Sequence, residues 1–174
     1  MRPGLRVLSR SEEATLRLGQ ALAGGLRPGV VLALHGDLGT GKTVLTRGLA
    51  RGLGIVEPVT SPTFSVVQEY PRADGTFLFH LDLYRISGEA AALAFGIEEY
   101  LFALDGVTVV EWPERIAGLL GFPGGLRRTL RVYLSHEADG VRCIELPTDL
   151  AACARDLAGC TTGLALREDE VDGR

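Results

Sequence analysis

The run Gly36-Asp37-Leu38-Gly39-Thr40-Gly41-Lys42-Thr43 satisfies the pattern G-x-x-x-x-G-K-[ST] in full. The residue types explain the chemistry. Glycines let the backbone turn sharply and bring its N–H groups close to phosphate oxygens. A helix starting near Lys42 directs its N-terminal dipole at the same anion. The Lys42 ammonium then reaches the β- and γ-phosphates of a bound nucleotide, and the Thr43 hydroxyl takes one position on Mg2+. The chain has 17 arginines and a single lysine, Lys42. That lysine stands where a phosphate loop needs a flexible ammonium rather than a planar fork.

Two acids end apolar runs downstream. Phe77-Leu78-Phe79-His80-Leu81-Asp82 reads as a strand closing on an aspartate. A carboxylate there sits beside the loop in phosphate-loop folds and holds magnesium, often through water. Val107 to Trp112 repeats the arrangement with Glu111, which suits magnesium binding or orientation of an attacking water. Glu111 reads equally well as a surface acid at a strand end. Trp112, the only tryptophan, fits core packing, or an aromatic contact beside the nucleotide or at a partner interface. Thr60-Ser61-Pro62-Thr63 lies where switch proteins carry a γ-phosphate sensor, through Ser61 or Thr63. By itself the segment is better explained as a Ser/Pro turn. Arg85 is suited to neutralising phosphate or to pairing with a surface acid.

These residues require elements to hold them. Leu5 to Leu8 reads as a first strand, and Ser9 three residues before Glu12 as a capping box opening a helix. Leu16, Leu18, Ala21, Leu22 and Leu26 supply its apolar face, and Pro28-Gly29 ends it. Val30 to Leu34 is an unbroken apolar run, a strand buried on both faces. A helix over 42–53 follows the loop. Phe64 to Tyr70 and Thr76 to Asp82 read as strands around a turn at Ala73-Asp74-Gly75. A helix is expected over 89–103, weakened by Gly96. Val107 to Glu111 is another buried strand, and Pro113 suits the first turn of the next helix. Leu130 to Leu134 and Val141 to Leu146 form a hairpin around Asp139-Gly140. A short helix is expected after Pro147, and the end, from Arg167, reads as frayed. The pattern predicts an α/β, P-loop NTPase-like fold: a mainly parallel central sheet with antiparallel additions and helices on both faces. Residues 1–147 read as one domain and 148–174 as a C-terminal extension.

The composition agrees. A chain of 174 residues with 46% hydrophobic content buries one core. The net charge of −4 argues against a domain that wraps nucleic acid unaided. No apolar run approaches the roughly 20 residues that span a bilayer, and the first residues lack a secretory signal. Cys143, Cys153 and Cys160 form no Cys-x-x-Cys and read as reduced thiols. The three histidines are too scattered to suggest a metal site. These features suit a cytoplasmic protein.

GDLGTGKT, TSPTF with VVQEY, HLDLYR and EWPE, in this order, resemble the TsaE family. EEATLRLG is similar to that family's N-terminal helix and FGIEEYL to its central one. The likeness covers roughly Leu8 to Leu146. It implies a small ATPase of bacterial tRNA threonylcarbamoyladenosine (t6A) biosynthesis, with Mg2+ as cofactor and ATP as substrate. It implies two protein partners, TsaD and TsaB, which modify adenosine 37 of tRNA, so that tRNA is met only indirectly. Carried over by motif, Leu38, Gly39, Thr40, Gly41, Lys42 and Thr43 hold the phosphates, and Thr43 with Glu111 the magnesium. Asp82 is the Walker B acid, Ser61 and Thr63 belong to a switch-like loop, and Trp112 lies beside the site. Glu12 and Gly140 lie by the base. Thr40 stands where alanine is more usual; only its backbone N–H need face phosphate. Two other readings compete. A small-molecule kinase needs an arginine-bearing lid; Arg127, Arg128 and Arg131 offer late cations, but no lid-like insertion separates the strands. A non-hydrolysing binding module has less need of Asp82 and Glu111.

Overall fold

The structure is a computed structural model that describes residues 4–121, 128–137, 140–158 and 162–167. Its centre is one eight-stranded sheet. The strands are β1 (Leu5–Ser9), β2 (Val31–His35), β3 (Val67–Pro71), β4 (Phe77–Asp82), β5 (Gly106–Glu111), β6 (Thr129–His136), β7 (Arg142–Leu146) and β8 (Leu164–Arg167). They lie in the order β3-β4-β5-β2-β6-β7-β1-β8. The middle four, β4-β5-β2-β6, run parallel. β3 adds an antiparallel edge on one side, and β7, β1 and β8 add antiparallel strands on the other.

The parallel strands are apolar on both faces because helices cover both. One face packs on α1 (Glu12–Leu22), α2 (Lys42–Gly52) and α6 (Thr148–Ala158). Leu32, Leu34, Val107 and Val109 meet Leu18, Leu22, Leu45, Leu49 and Leu150 there. The opposite face packs on α3 (Glu89–Leu93), α4 (Ile97–Leu101) and α5 (Ala117–Leu120), with Val31, Phe79, Leu81 and Val110 against Ala92, Ile97, Leu101 and Ile116.

Register places the chemistry. Asp82 pairs with Glu111 across β4 and β5, and Leu34 pairs with Glu111 across β2 and β5. Both acids therefore lie level at the carboxyl ends of parallel strands, where the chain leaves β2 for the phosphate loop. In open α/β sheets this edge is the ligand-binding one.

Several local expectations are corrected. Ser9 does not cap α1. Its backbone is committed to β1, and its buried hydroxyl donates to Ser11 O (3.0 Å) and lies 2.8 Å from Thr15 Oγ1. Ser11 is the cap, accepting from the Ala14 N–H at 3.0 Å. The strand expected from Phe64 starts at Val67, because the preceding turn ends on Val66 at φ +67°. The helix expected over 89–103 breaks into α3 and α4 at Gly96, whose φ of +69° no helix accommodates. β8 was not expected at all: 164–167 pairs with β1. Pro113 opens a short 3-10 turn, Pro113–Ile116, that leads into α5. The β6–β7 hairpin forms, with Gly140 at φ +73°, while Asp139 lies outside the described residues, as do Cys160 and the tail from residue 168. Among the described residues no helix is long and apolar enough to cross a membrane.

Candidate nucleotide and magnesium site

The loop between β2 and α2 is built on Gly36, Gly39 and Gly41, all at positive φ. Gly36 has a second constraint: a Cβ there would lie 2.3 Å from Leu134 O. Gly41, at φ +99°, occupies the N-cap position of α2 without a side-chain cap, so the first N–H groups of the helix are left for an external acceptor. Thr40 is buried and turns its Oγ1 back to Asp37 O at 2.9 Å. Its N–H turns to the same oxygen at 3.4 Å, so side chain and backbone together close the loop.

Lys42 is only 4% exposed. Its Nζ donates to Gly36 O (2.6 Å) and Asp37 O (2.8 Å) and lies 4.1 Å from the centroid of the Trp112 ring. Burial pushes the ammonium below its ordinary pKa, and the carboxylates of Glu111, Glu114, Asp82 and Asp37 oppose that shift. Trp112 itself has φ +60°, uncommon for a bulky residue, and its ring also stands 5.0 Å from that of Tyr84. The packing and the site readings of Trp112 are therefore joined: the side chain packs on the core between the sheet and α3, α4 and α5, and its ring faces the lysine.

Glu111 is no surface acid. It is 3% exposed and accepts from Thr43 Oγ1 at 3.0 Å and 3.1 Å through its two oxygens. Asp82, also buried, accepts from Ser61 Oγ and from Thr63 Oγ1 (2.8 Å) on Oδ2, and from the Tyr84 N–H (3.0 Å) on Oδ1. Ser61 and Thr63 lie 2.7 Å apart at their hydroxyls. Thr60-Ser61-Pro62-Thr63 is thus a turn whose hydroxyls converge on an acid of the site.

These groups line one cavity of about 500 Å³, within the range of small-molecule sites. Its wall includes Glu12, Leu38, Gly39, Gly41, Lys42, Thr43, Ser61, Thr63, Asp82, Glu111 and Trp112. Gly140 is not among the lining residues; Arg142, two residues on, is. The sequence reading also passed over Arg47 and Tyr84, which line the cavity, and His80, which lies 2.8 Å from Glu111. Arg47 follows Thr43 by four positions on α2, a spacing that places both on one helix face. His80 and Tyr84 flank Asp82 within HLDLYR. Nothing in the local pattern singles out Arg142. Arg85 lies over the exposed Phe64 ring at 4.3 Å and is absent from the cavity wall. Arg128 pairs with Asp149, and neither it nor Arg131 lines the cavity. Arg127 lies outside the described residues.

The donor set fits magnesium. Thr43 Oγ1 gives its proton to Glu111, which leaves oxygen lone pairs for a cation, and Glu111 and Asp82 add carboxylate oxygens. A hard divalent ion takes such all-oxygen ligands together with phosphate and water.

The family model for threonylcarbamoyl adenosine biosynthesis protein TsaE matches residues 9–145. A Nostoc protein named tRNA threonylcarbamoyladenosine biosynthesis protein TsaE is 41% identical over 145 residues, 81% of this chain and 84% of its own length. A Treponema pallidum protein of the same name is 38% identical over 138 residues, 79% of this chain and 96% of its own. The crystal structure of YdiB from Bacillus subtilis superposes with a TM-score of 0.66 at 31% identity, covering 89% of this chain and 94% of that one.

Proposed function

Because the chain belongs to the TsaE family of tRNA t6A biosynthesis proteins, we propose that it is the ATP-hydrolysing component of that machinery, acting with TsaD and TsaB homologues. The observation that carries this reading is the Thr43–Glu111 hydrogen bond inside the phosphate-loop cavity, which ties the loop to a buried acid. Backbone N–H groups of Leu38 to Thr43 would bind the phosphates. Lys42 would exchange its two loop carbonyls for β- and γ-phosphate oxygens. Thr43 and Glu111, with Asp82 as a further acid, would hold magnesium, which when bound neutralises charge on the phosphates. The Glu111 carboxylate would also orient the attacking water and take its proton.

Ser61 and Thr63, anchored on Asp82, would form the segment that senses the third phosphate or meets a partner. Glu12 would lie toward the base, with Arg142 in the place first given to Gly140. Partner proteins would hold the tRNA, in keeping with the acidic balance of this chain.

The test is ATP hydrolysis by the protein alone and then with purified TsaD and TsaB from the same source. Little turnover alone and clear stimulation by the pair is the expected result. Equal turnover with and without them would overturn the partnership and favour a kinase, to be pursued by screening acceptors.

A further inference from the structure

His80 is fully buried, 0% exposed. It lies on β4 and shares a face with Leu78 and Asp82, while Glu111 shares a face of β5 with Val107 and Val109. His80 pairs with Val109 across the two strands, so His80 and Glu111 are diagonal neighbours within reach of a long side chain. Nε2 lies 2.8 Å from Glu111 Oε1. An ionised carboxylate only accepts, so the bond assigns the proton to Nε2. Nδ1 is buried and has no hydrogen-bond partner among the described residues.

That orphan nitrogen bears on what the histidine is for. A buried polar atom left unpaired is destabilising, and a leucine, as at Leu78, would fill the same layer without it. Packing alone therefore does not account for an imidazole at this position; the bond to Glu111 does. Thr43 Oγ1 is nearly equidistant from the two oxygens of Glu111, whereas His80 engages Oε1 alone. Thr43 thus holds the carboxylate from the loop side, and His80 sets its rotation and leaves Oε2 the less engaged oxygen.

The geometry points to His80 as a positioning residue for Glu111, one that presents the carboxylate to magnesium and the attacking water without touching either. This inference rests on the functional reading above. Outer hydrogen bonds to metal-binding and catalytic carboxylates are of this kind, and their removal costs roughly 10–100-fold in metal affinity or activity.

The experiment compares wild type, His80→Leu and His80→Gln. The glutamine amide reaches about as far as Nε2 and restores a donor. ADP affinity is measured by calorimetry in chelator and in saturating Mg2+, and ATP turnover is measured with the partner proteins. In His80→Leu, metal-free ADP affinity is expected to stay within about threefold, under 1 kcal/mol. The gain on adding Mg2+ and kcat are expected to fall roughly 10–100-fold, with recovery of most of both in His80→Gln. Should His80→Leu not fold, His80→Gln is set against His80→Asn, whose amide stops short of Glu111; equal behaviour of the two overturns the role. Wild-type Mg2+ dependence that His80→Leu retains also overturns it, as does parallel loss of metal-free binding without recovery by glutamine. A wild-type protein whose nucleotide affinity ignores Mg2+ overturns the functional reading, and the His80 role with it.

Discussion

Lys42 and Glu111 line the same cavity, and in the proposed reaction they hold different parts, which substitution separates. Lys42 supplies charged donors for phosphate, each worth about 1.5–3 kcal/mol, and the chain has no second lysine to replace it. Lys42→Ala is expected to weaken ATP binding by at least roughly 10–100-fold in a calorimetric titration; unchanged affinity would remove the phosphate-loop assignment. Glu111→Ala is expected to keep metal-free nucleotide binding, to lose much of the gain on adding Mg2+, and to lose roughly 10²–10⁴-fold in turnover, with unaltered turnover removing Glu111 from the mechanism. His35, at the end of β2, makes a pH-dependent contribution to stability. Burial lowers its pKa and Arg131 acts in the same direction, while Glu114, with Oε2 at 3.7 Å, opposes them. The unfolded chain then binds a proton near pH 6.5 that the folded chain resists, so stability falls as the pH drops from there through the lowered folded value. His35→Phe, which preserves a ring to stack on Tyr133, should lose less stability than wild type between pH 7.5 and 5 in urea unfolding.

At the scale of elements, the phosphate loop is only as well placed as α2, and α2 is placed by a close helix contact. A Cβ on Gly48 would lie 2.1 Å from Leu16 O, and one on Gly19 would lie 2.3 Å from Leu45 O. α1 and α2 therefore approach backbone to backbone, which larger residues would prevent. Gly48→Ala should force the helices apart at a cost of at least about 1–3 kcal/mol, despite alanine's better helix propensity. Chemical denaturation checks this, and a gain in stability would refute the contact. Gly96 acts in the opposite sense: it has open space around it but a positive φ, so it turns the chain between α3 and α4 rather than admitting a neighbour. The turn before β3 is held at Val66, a β-branched residue at φ +67° whose N–H donates to Pro62 O at 2.7 Å. Its neighbour segment carries Ser61 and Thr63, so an uncommon backbone conformation borders the hydroxyls that hold Asp82.

Across the whole molecule, the cavity lies at the carboxyl ends of the parallel strands, and the chain beyond Pro147 adds to the core and to the sheet edge away from it. The cavity-lining residues run from Glu12 to Arg142, whereas the helix beyond Pro147 lies in the core: Leu150 is 0% exposed, and Ala151 and Ala154 are also buried. β8 then covers the free edge of β1. Burying one leucine is worth about 1.5–3 kcal/mol, and in a chain of this size each kcal/mol moves the melting point by about 2–4 °C. A chain ending at Pro147 should melt at least about 5 °C lower and still bind nucleotide where it remains folded. An unchanged Tm would show that the C-terminal helix and strand contribute nothing to the core.

The phosphate loop was legible in the sequence because its demands are local: glycines at positive φ, one ammonium and one hydroxyl at a set spacing. The buried strands before and after it were legible from their unbroken apolar runs, which only a sheet covered on both faces explains, and the ordered motifs carried the family resemblance. The role of Glu111 was not. A strand-end acid looks the same in sequence whether exposed or buried, and only the pairing of β5 with β4 and β2 brings it level with Asp82 and within 3.0 Å of Thr43. The same holds for Ser61 and Thr63, whose turn reads as ordinary until Asp82 is found beneath it, and for His80, whose bond to Glu111 crosses between strands 31 positions apart. β8 was missed because a four-residue strand has almost no pattern of its own; the edge of β1 gives it a partner, and that edge exists only in the folded sheet.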